Sequence, residues 1–182
     1  MARQPTRVVD AHVHLWDPAR TDWYPYLSGR QQLNMGDISG MARLFDVPTY
    51  LAESARWNVQ KLVNVAAATG YHSIEETLEL DRRADVDGHP DAIVGGIPPT
   101  GSVAEAVELL DQQMGASRFR GVRPMGVFDR PLPDDGVLRA LQEHPAAGLS
   151  YGNSFLTHLP HQEFGRFEPT QDYGGKFEWP PY

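Results

Sequence analysis

Four short apolar runs recur along this chain, each followed by a stretch with helical periodicity, and that alternation constrains the fold more than any other feature. The runs are RVVDAHV, KLVNVAAA, DAIVGGI and RFRGVRP. They carry few polar breaks, as expected of strands buried on both faces. The stretches between them read as helices. In VPTYLAESARWNV, Pro48 falls near the first turn, where its missing N–H costs nothing. In SIEETLELDRRADV, Ser73 stands three residues before Glu76, the spacing of a capping box. SVAEAVELLDQQMGA follows Ser102 as N-cap and sets Val103, Val107, Leu110 and Met114 on one stripe. DDGVLRALQEH gives a fourth, shorter helix. Strands alternating with amphipathic helices predict a parallel sheet with right-handed crossovers, so the fold class is α/β with about four βα units.

These units occupy residues 1–145. Residues 146–182 form an irregular segment rich in aromatics and proline, in which only GLSYGNSFLTHL suits a strand. Phe164, Phe167, Phe177 and Trp179 are foreign to a flexible linker, so the segment is read as part of the same domain or as an interface arm. A length of 182 residues suffices for one domain with a sizeable core. The net charge is −8, with 24 acidic and 16 basic residues and no Lys/Arg-rich stretch, which argues against nucleic acid as a partner. No apolar run approaches the roughly 20 residues of a membrane span, and the opening MARQPTRVVDA lacks a signal peptide's apolar core. A cytoplasmic location is the expectation. The chain contains no cysteine, which leaves His, Asp and Glu as its strong metal ligands.

Chemistry concentrates in VVDAHVHLWDP. His12 and His14 flank Val13 at the carboxyl end of the first strand, and residues i and i+2 of a strand share a face. Two imidazoles there aim at one point, where a zinc, iron, nickel or copper ion fits; the competing reading is a pair of solvated loop histidines. Strand alternation puts Asp10 on the same face, placed to orient a histidine. Arg120 and Arg123 offer planar forks for a carboxylate on opposite faces of the fourth strand; Arg123, nearer its end, is the favoured substrate contact, with an ion pair to a helix as the competing role. Trp16, Trp23, Tyr24 and Tyr26 crowd a long segment after the first strand, as a lid, a wall for substrate, or a plug at the end of the strands. Asn64, inside the second strand, is expected to hydrogen-bond in the interior that the strands enclose, and it receives no functional role. His72 reads as a loop residue, His89 as a turn residue on the opposite face, and His144 as a helix-end cation.

VVDAHVHLWDP, followed at matching intervals by LVNVAAA and FRGVRP, resembles the amidohydrolase superfamily, in its branch of lactonases and related hydrolases and decarboxylases, over about residues 6–143. The resemblance implies a (β/α)8 TIM barrel whose first-strand HxH, here His12 and His14, binds a divalent metal, zinc by preference and manganese as the alternative. It implies hydrolysis of a lactone or related carbonyl substrate, small and acidic, with Arg123 or Arg120 and Trp16 as substrate contacts. The chain also departs from the family. A full barrel takes about 250 residues, and only half of one is countable here. The family's later ligands, a histidine and an aspartate, have no clear positions; His158 or His161 could stand in for the first and Asn153 lies near the place of the second. A metal-dependent hydrolase is therefore the first expectation. The alternatives are a metal-independent lactonase of the same fold and a shortened, non-catalytic relative acting as a binding or structural subunit. Half a barrel leaves open sheet edges, so a homo-oligomer or a partner chain is expected to cover them.

Overall fold

Five parallel strands lie side by side in the order in which the chain makes them. The computed structural model describes residues 7–29, 37–98, 100, 102–124 and 150–151; the expected fourth helix, His144, Asn153, His158, His161 and most of the aromatic segment fall outside them. The strands are β1 (Val8–Val13), β2 (Val59–Val65), β3 (Ala92–Ile97), β4 (Phe119–Pro124) and β5 (Ser150–Tyr151), and the described helices are α1 (Val47–Glu53), α2 (His72–Asp87) and α3 (Val103–Gln113). Each strand pairs in parallel with the next. The α/β reading holds, and β5 falls inside GLSYGNSFLTHL. Among the described residues, no helix is long and apolar enough to cross a membrane.

Local chemistry sets the helix ends. Asp46 caps α1 by accepting the Thr49 N–H at 3.0 Å, with Pro48 in the first turn. Ser102 caps α3 by accepting the Glu105 N–H at 3.2 Å. Helix α2 stops at Gly88, whose φ of +77° lies in the left-handed region open to glycine. Helix α1 is shorter than its periodic stretch, ending at Glu53.

Two expectations about the helices are corrected. The Ser73/Glu76 capping box does not form: α2 already begins at His72, the Ser73 hydroxyl donates to Gly70 O at 2.7 Å, and the Glu76 carboxylate is drawn to the end of β2 instead. The buried face of α3 is Ala106, Leu109, Leu110 and Gln113, while Val103 and Met114 are exposed. Gln113 turns the helix that way. Its Oε1 accepts from Thr77 Oγ1 at 2.8 Å and its Nε2 donates to Gly96 O at 3.1 Å. A satisfied amide at the core's centre is invisible to a count of apolar spacing.

The helices share one face of the sheet. Val13 and Leu62 pack with Val47 and Tyr50 of α1, and Ile97, Phe119 and Val122 pack with Ile74 of α2 and Leu109 and Leu110 of α3. The register lines up Val13, Asn64 and Ile93 in one row and Gly95 with Val122 in another, all on this helical face. Alternation then turns His14, Val65, Val94, Gly96 and Arg123 to the opposite face. The β1–β2 register shifts between Asp10 and Val13, where three steps on β1 match two on β2. That bulge corrects the placement of Asp10. It faces the helices, where its Oδ2 accepts the Tyr50 hydroxyl at 2.8 Å and its Oδ1 accepts the His12 backbone N–H at 3.2 Å.

Candidate functional site

The carboxyl end of β2 continues as Val65–Ala68, and three successive carbonyls there are each taken by a different side chain. His14 Nδ1 donates to Val65 O at 2.7 Å, Arg123 Nη1 to Ala66 O at 2.9 Å, and the Tyr26 hydroxyl to Ala67 O at 2.8 Å. The matching amides go to one acid: Ala67 N–H donates to Glu76 Oε2 at 3.0 Å, and Ala68 N–H to Glu76 Oε1 at 3.1 Å. Strands β1 and β4, helix α2 and the segment after β1 therefore meet on four residues of backbone.

His12 and His14 converge. Their Nε2 atoms lie 3.2 Å apart, with the rings edge to face at 4.9 Å. A carbonyl can only accept, so the bond to Val65 fixes the hydrogen of His14 on Nδ1 and leaves its Nε2 lone pair directed at His12. Burial pulls the His14 imidazolium down to about 4, against the Val65 bond, with Arg123 and His12 lowering it further. The ring is neutral at neutral pH. Two nitrogens each about 2.0–2.1 Å from one tetrahedral zinc stand about 3.3–3.4 Å apart, close to the observed spacing. The pair thus fits two positions of a shared cation, with one anchored by the backbone contact common to metal-ligating histidines. Among the described residues, no group of three or more His, Asp or Glu side chains converges as a metal site.

The remaining expected site residues separate. Arg123 is largely buried on the same face as His14, and that burial lowers its basicity while Tyr26 and Glu76 raise it. Arg120 is exposed and folds back on Ser117 O at 2.8 Å and Phe119 O at 2.7 Å, away from the histidine pair. Trp16 donates Nε1 to Arg43 O at 2.9 Å and packs beside Phe45 in an antiparallel bridge, so its polar atom is engaged within the segment after β1. His72 opens α2, bonded to Glu75 at 2.6 Å and stacked on Trp23. His89 pairs with Asp91 at 2.8 Å at the amino end of the strands.

Glu76 is the prominent residue that spacing misassigned. It is fully buried, and burial pushes its carboxyl up to about 7 against the Ala67 and Ala68 amides, the Tyr24 hydroxyl and Arg123, all of which pull it down. Its signal in the sequence is an acid on a stripe with Ser73, Thr77 and Ala84, a stripe the fold buries. A cavity of about 50 Å³ lies behind it, between α2 and the segment after β1, lined by residues including Arg20, Trp23, Tyr24 and Glu79. That space suits one or two waters, and neither histidine of the pair nor Arg123 lines it. Comparison with family models, with curated proteins and with solved structures finds no match to this chain.

Proposed function

We propose that this chain is a metal-dependent hydrolase of a lactone or related small carbonyl substrate bearing a carboxylate, built on an arc of a (β/α)8 barrel. The observation that carries the reading is the 3.2 Å approach of His12 Nε2 to His14 Nε2 with the far nitrogen of His14 anchored on Val65 O. The position supports it, since the pair stands at the carboxyl end of a parallel strand, where α/β folds place their chemistry. The strictly sequential strand order suits a barrel arc.

In this reading His12 and His14 hold the cation, zinc or manganese, and a third ligand comes from outside the described residues, where His158 and His161 lie. A bound divalent cation supplies polarisation of a carbonyl and acidification of water. Arg123, on the same face, receives the substrate carboxylate through its planar fork. Tyr26 and Glu76 hold the Val65–Ala68 backbone on which both depend. We place the protein in the cytoplasm and expect it to self-associate or to take a partner chain, with neither nucleic acid nor membrane as a partner. Among the described residues β1 pairs only with β2, which leaves one sheet edge for such an interface.

The test is metal content by elemental mass spectrometry on untagged protein, beside a His12→Ala, His14→Ala double variant, followed by hydrolysis assays on lactones with and without a carboxylate. About one equivalent of zinc or manganese, lost in the variant, together with metal-dependent hydrolysis is the expected result. Hydrolysis with no bound cation supports the metal-independent lactonase instead. Absence of both metal and hydrolysis overturns the enzyme reading.

A further inference from the structure

The β1–β2 ladder ends where Val13 stands beside Asn64. One step further on, two backbone groups need partners, the N–H of Leu15 and the C=O of Val65. Each is taken by a side chain from the opposite strand. Asn64 Oδ1 accepts the Leu15 N–H at 3.1 Å, and His14 Nδ1 donates to Val65 O at 2.7 Å. The exchange is reciprocal: β2 lends an amide side chain to β1, and β1 lends an imidazole to β2.

Asn64 is an unexpected residue for its place. It is 0% exposed, in a row between Val13 and Ile93 on the helical face. Its Nδ2 has no acceptor among the described residues. The amide cannot be turned over to relieve this, because the Leu15 N–H needs an oxygen. An unpaired buried N–H lowers stability, and leucine would fill an apolar row without one. What asparagine adds over leucine is the bond to Leu15, the residue that follows His14.

We propose that Asn64 is a positioning residue for the histidine pair: its bond to the Leu15 N–H sets the His14 backbone at the end of β1, and so directs the ring onto Val65 O with Nε2 facing His12. Without that bond the backbone after Val13 is held only from Trp16 onward, where Trp16 N–H donates to Phe45 O at 2.9 Å. The His14 ring then loses its fixed approach to Val65 O and exchanges between tautomers. The consequence for cation binding rests on the functional reading above, whereas the ring geometry stands apart from it.

The experiment reads the His14 tautomer in metal-free, 15N-labelled protein at pH 7 by long-range 1H–15N correlation, with the signal assigned by its loss in His14→Gln. Wild type is expected to show the single Nδ1–H form. Asn64→Leu is expected to show a mixture of forms, and Asn64→Asp, which keeps an acceptor for Leu15, to retain the single form. Zinc titration then measures the consequence: Asn64→Leu is expected to bind about 10–100-fold more weakly, the usual effect of removing a residue that orients a ligand. A folded Asn64→Leu protein with the wild-type tautomer overturns the proposal. If that variant does not fold, a folded Asn64→Asp with a mixed tautomer overturns it and one with the single form supports it. Wild type that takes up no zinc counts against the metal reading alone, and the tautomer still decides the role of Asn64.

Discussion

Tyr24 donates its hydroxyl to Glu76 Oε1 at 2.8 Å, and with that bond the segment after β1, helix α2 and the end of β2 are joined at one buried carboxylate. The joint is reinforced on both sides. Thr69 N–H donates to Trp23 O at 2.9 Å, and Tyr26 donates to Ala67 O at 2.8 Å. Further out, Arg20 pairs with Glu79 at 2.6 Å and lies over the Trp23 ring. These bonds tie Trp23, Tyr24 and Tyr26 to the carboxyl end of the sheet.

Glu76→Gln is expected to cost about 1–3 kcal/mol, because its NH2 group must face either the Ala67 N–H or the donors on the other oxygen. Tyr24→Phe removes a single hydrogen bond, about 0.5–1.5 kcal/mol, and leaves the two amide bonds intact. Urea unfolding of both variants checks the order. A Glu76→Gln loss no larger than that of Tyr24→Phe would mean that the backbone amides contribute nothing.

Two groups at the site pull the pH dependence of stability in opposite directions. His14 is depressed to about 4 from 6.5, so the unfolded chain takes up a proton that the folded chain refuses, and stability is lost as pH falls from about 6.5 towards 4. Glu76 is raised to about 7 from 4.5, so the folded chain keeps a proton that the unfolded chain releases, and stability is lost as pH rises from about 4.5 towards 7. Between pH 5 and 6.5 the two slopes offset each other in the wild type. Glu76→Gln should therefore gain stability with rising pH across that window relative to wild type, and His14→Gln should lose it. Urea midpoints at pH 5 and 6.5 measure both, and parallel profiles for the three proteins would sink the assignment.

Gly95 gives the core a third test. A Cβ built there collides with Gln113 Oε1, and Gln113 is itself buried and bonded to Thr77 and Gly96. The side chain has no free space into which to retreat. Gly95→Ala is expected to lose about 1–3 kcal/mol by overpacking. Combined with Gln113→Ala, the double variant should lose less than the sum of the singles, since removing the amide relieves the tighter contact and leaves Thr77 Oγ1, at 2.5 Å, as the remaining one. Strict additivity in the unfolding free energies would place the clash elsewhere.

The sequence exposes the frame of this fold because the frame is periodic. Apolar runs of strand length, separated by stretches of helical spacing, suffice to predict a parallel α/β sheet, and Pro48 and Ser102 mark two helix starts by their own chemistry. The two helix misreadings share one physical cause, a polar residue whose partner lies outside its own helix. Glu76 takes the shape of a cap locally but is claimed by backbone nine residues earlier, and Gln113 rotates α3 towards a carbonyl on β3. Asp10 is misplaced because one extra residue in a bulge inverts the alternation. The convergence of His12 and His14 is legible from their i, i+2 spacing after that bulge. The role argued for Asn64 is not, since nothing local tells a strand asparagine that bonds a neighbouring strand from one that merely occupies a slot.

Arg123 and Arg120 stand three residues apart on β4, and a register shift between the Phe119 and Gly121 pairings falls at Arg120. Arg123 lies on the histidine face, bonded to Ala66 O at 2.9 Å, whereas Arg120 is exposed and bonded to carbonyls of its own strand and the turn before it. If Arg123 receives a substrate carboxylate, Arg123→Lys should raise KM for carboxylate-bearing lactones by about 10-fold or more, because a point charge replaces a planar fork. Its kcat should change less, since binding a remote group contributes about equally to ground and transition states. Arg120→Ala should leave KM unchanged and alter stability by less than about 0.5 kcal/mol, as usual for an exposed position. Steady-state kinetics on paired lactones, with and without the carboxylate, provide the measurement. A KM increase of equal size on both lactones would assign Arg123 to holding the Val65–Ala68 backbone rather than the substrate, and an increase in Arg120→Ala alone would move the carboxylate contact from Arg123 to Arg120.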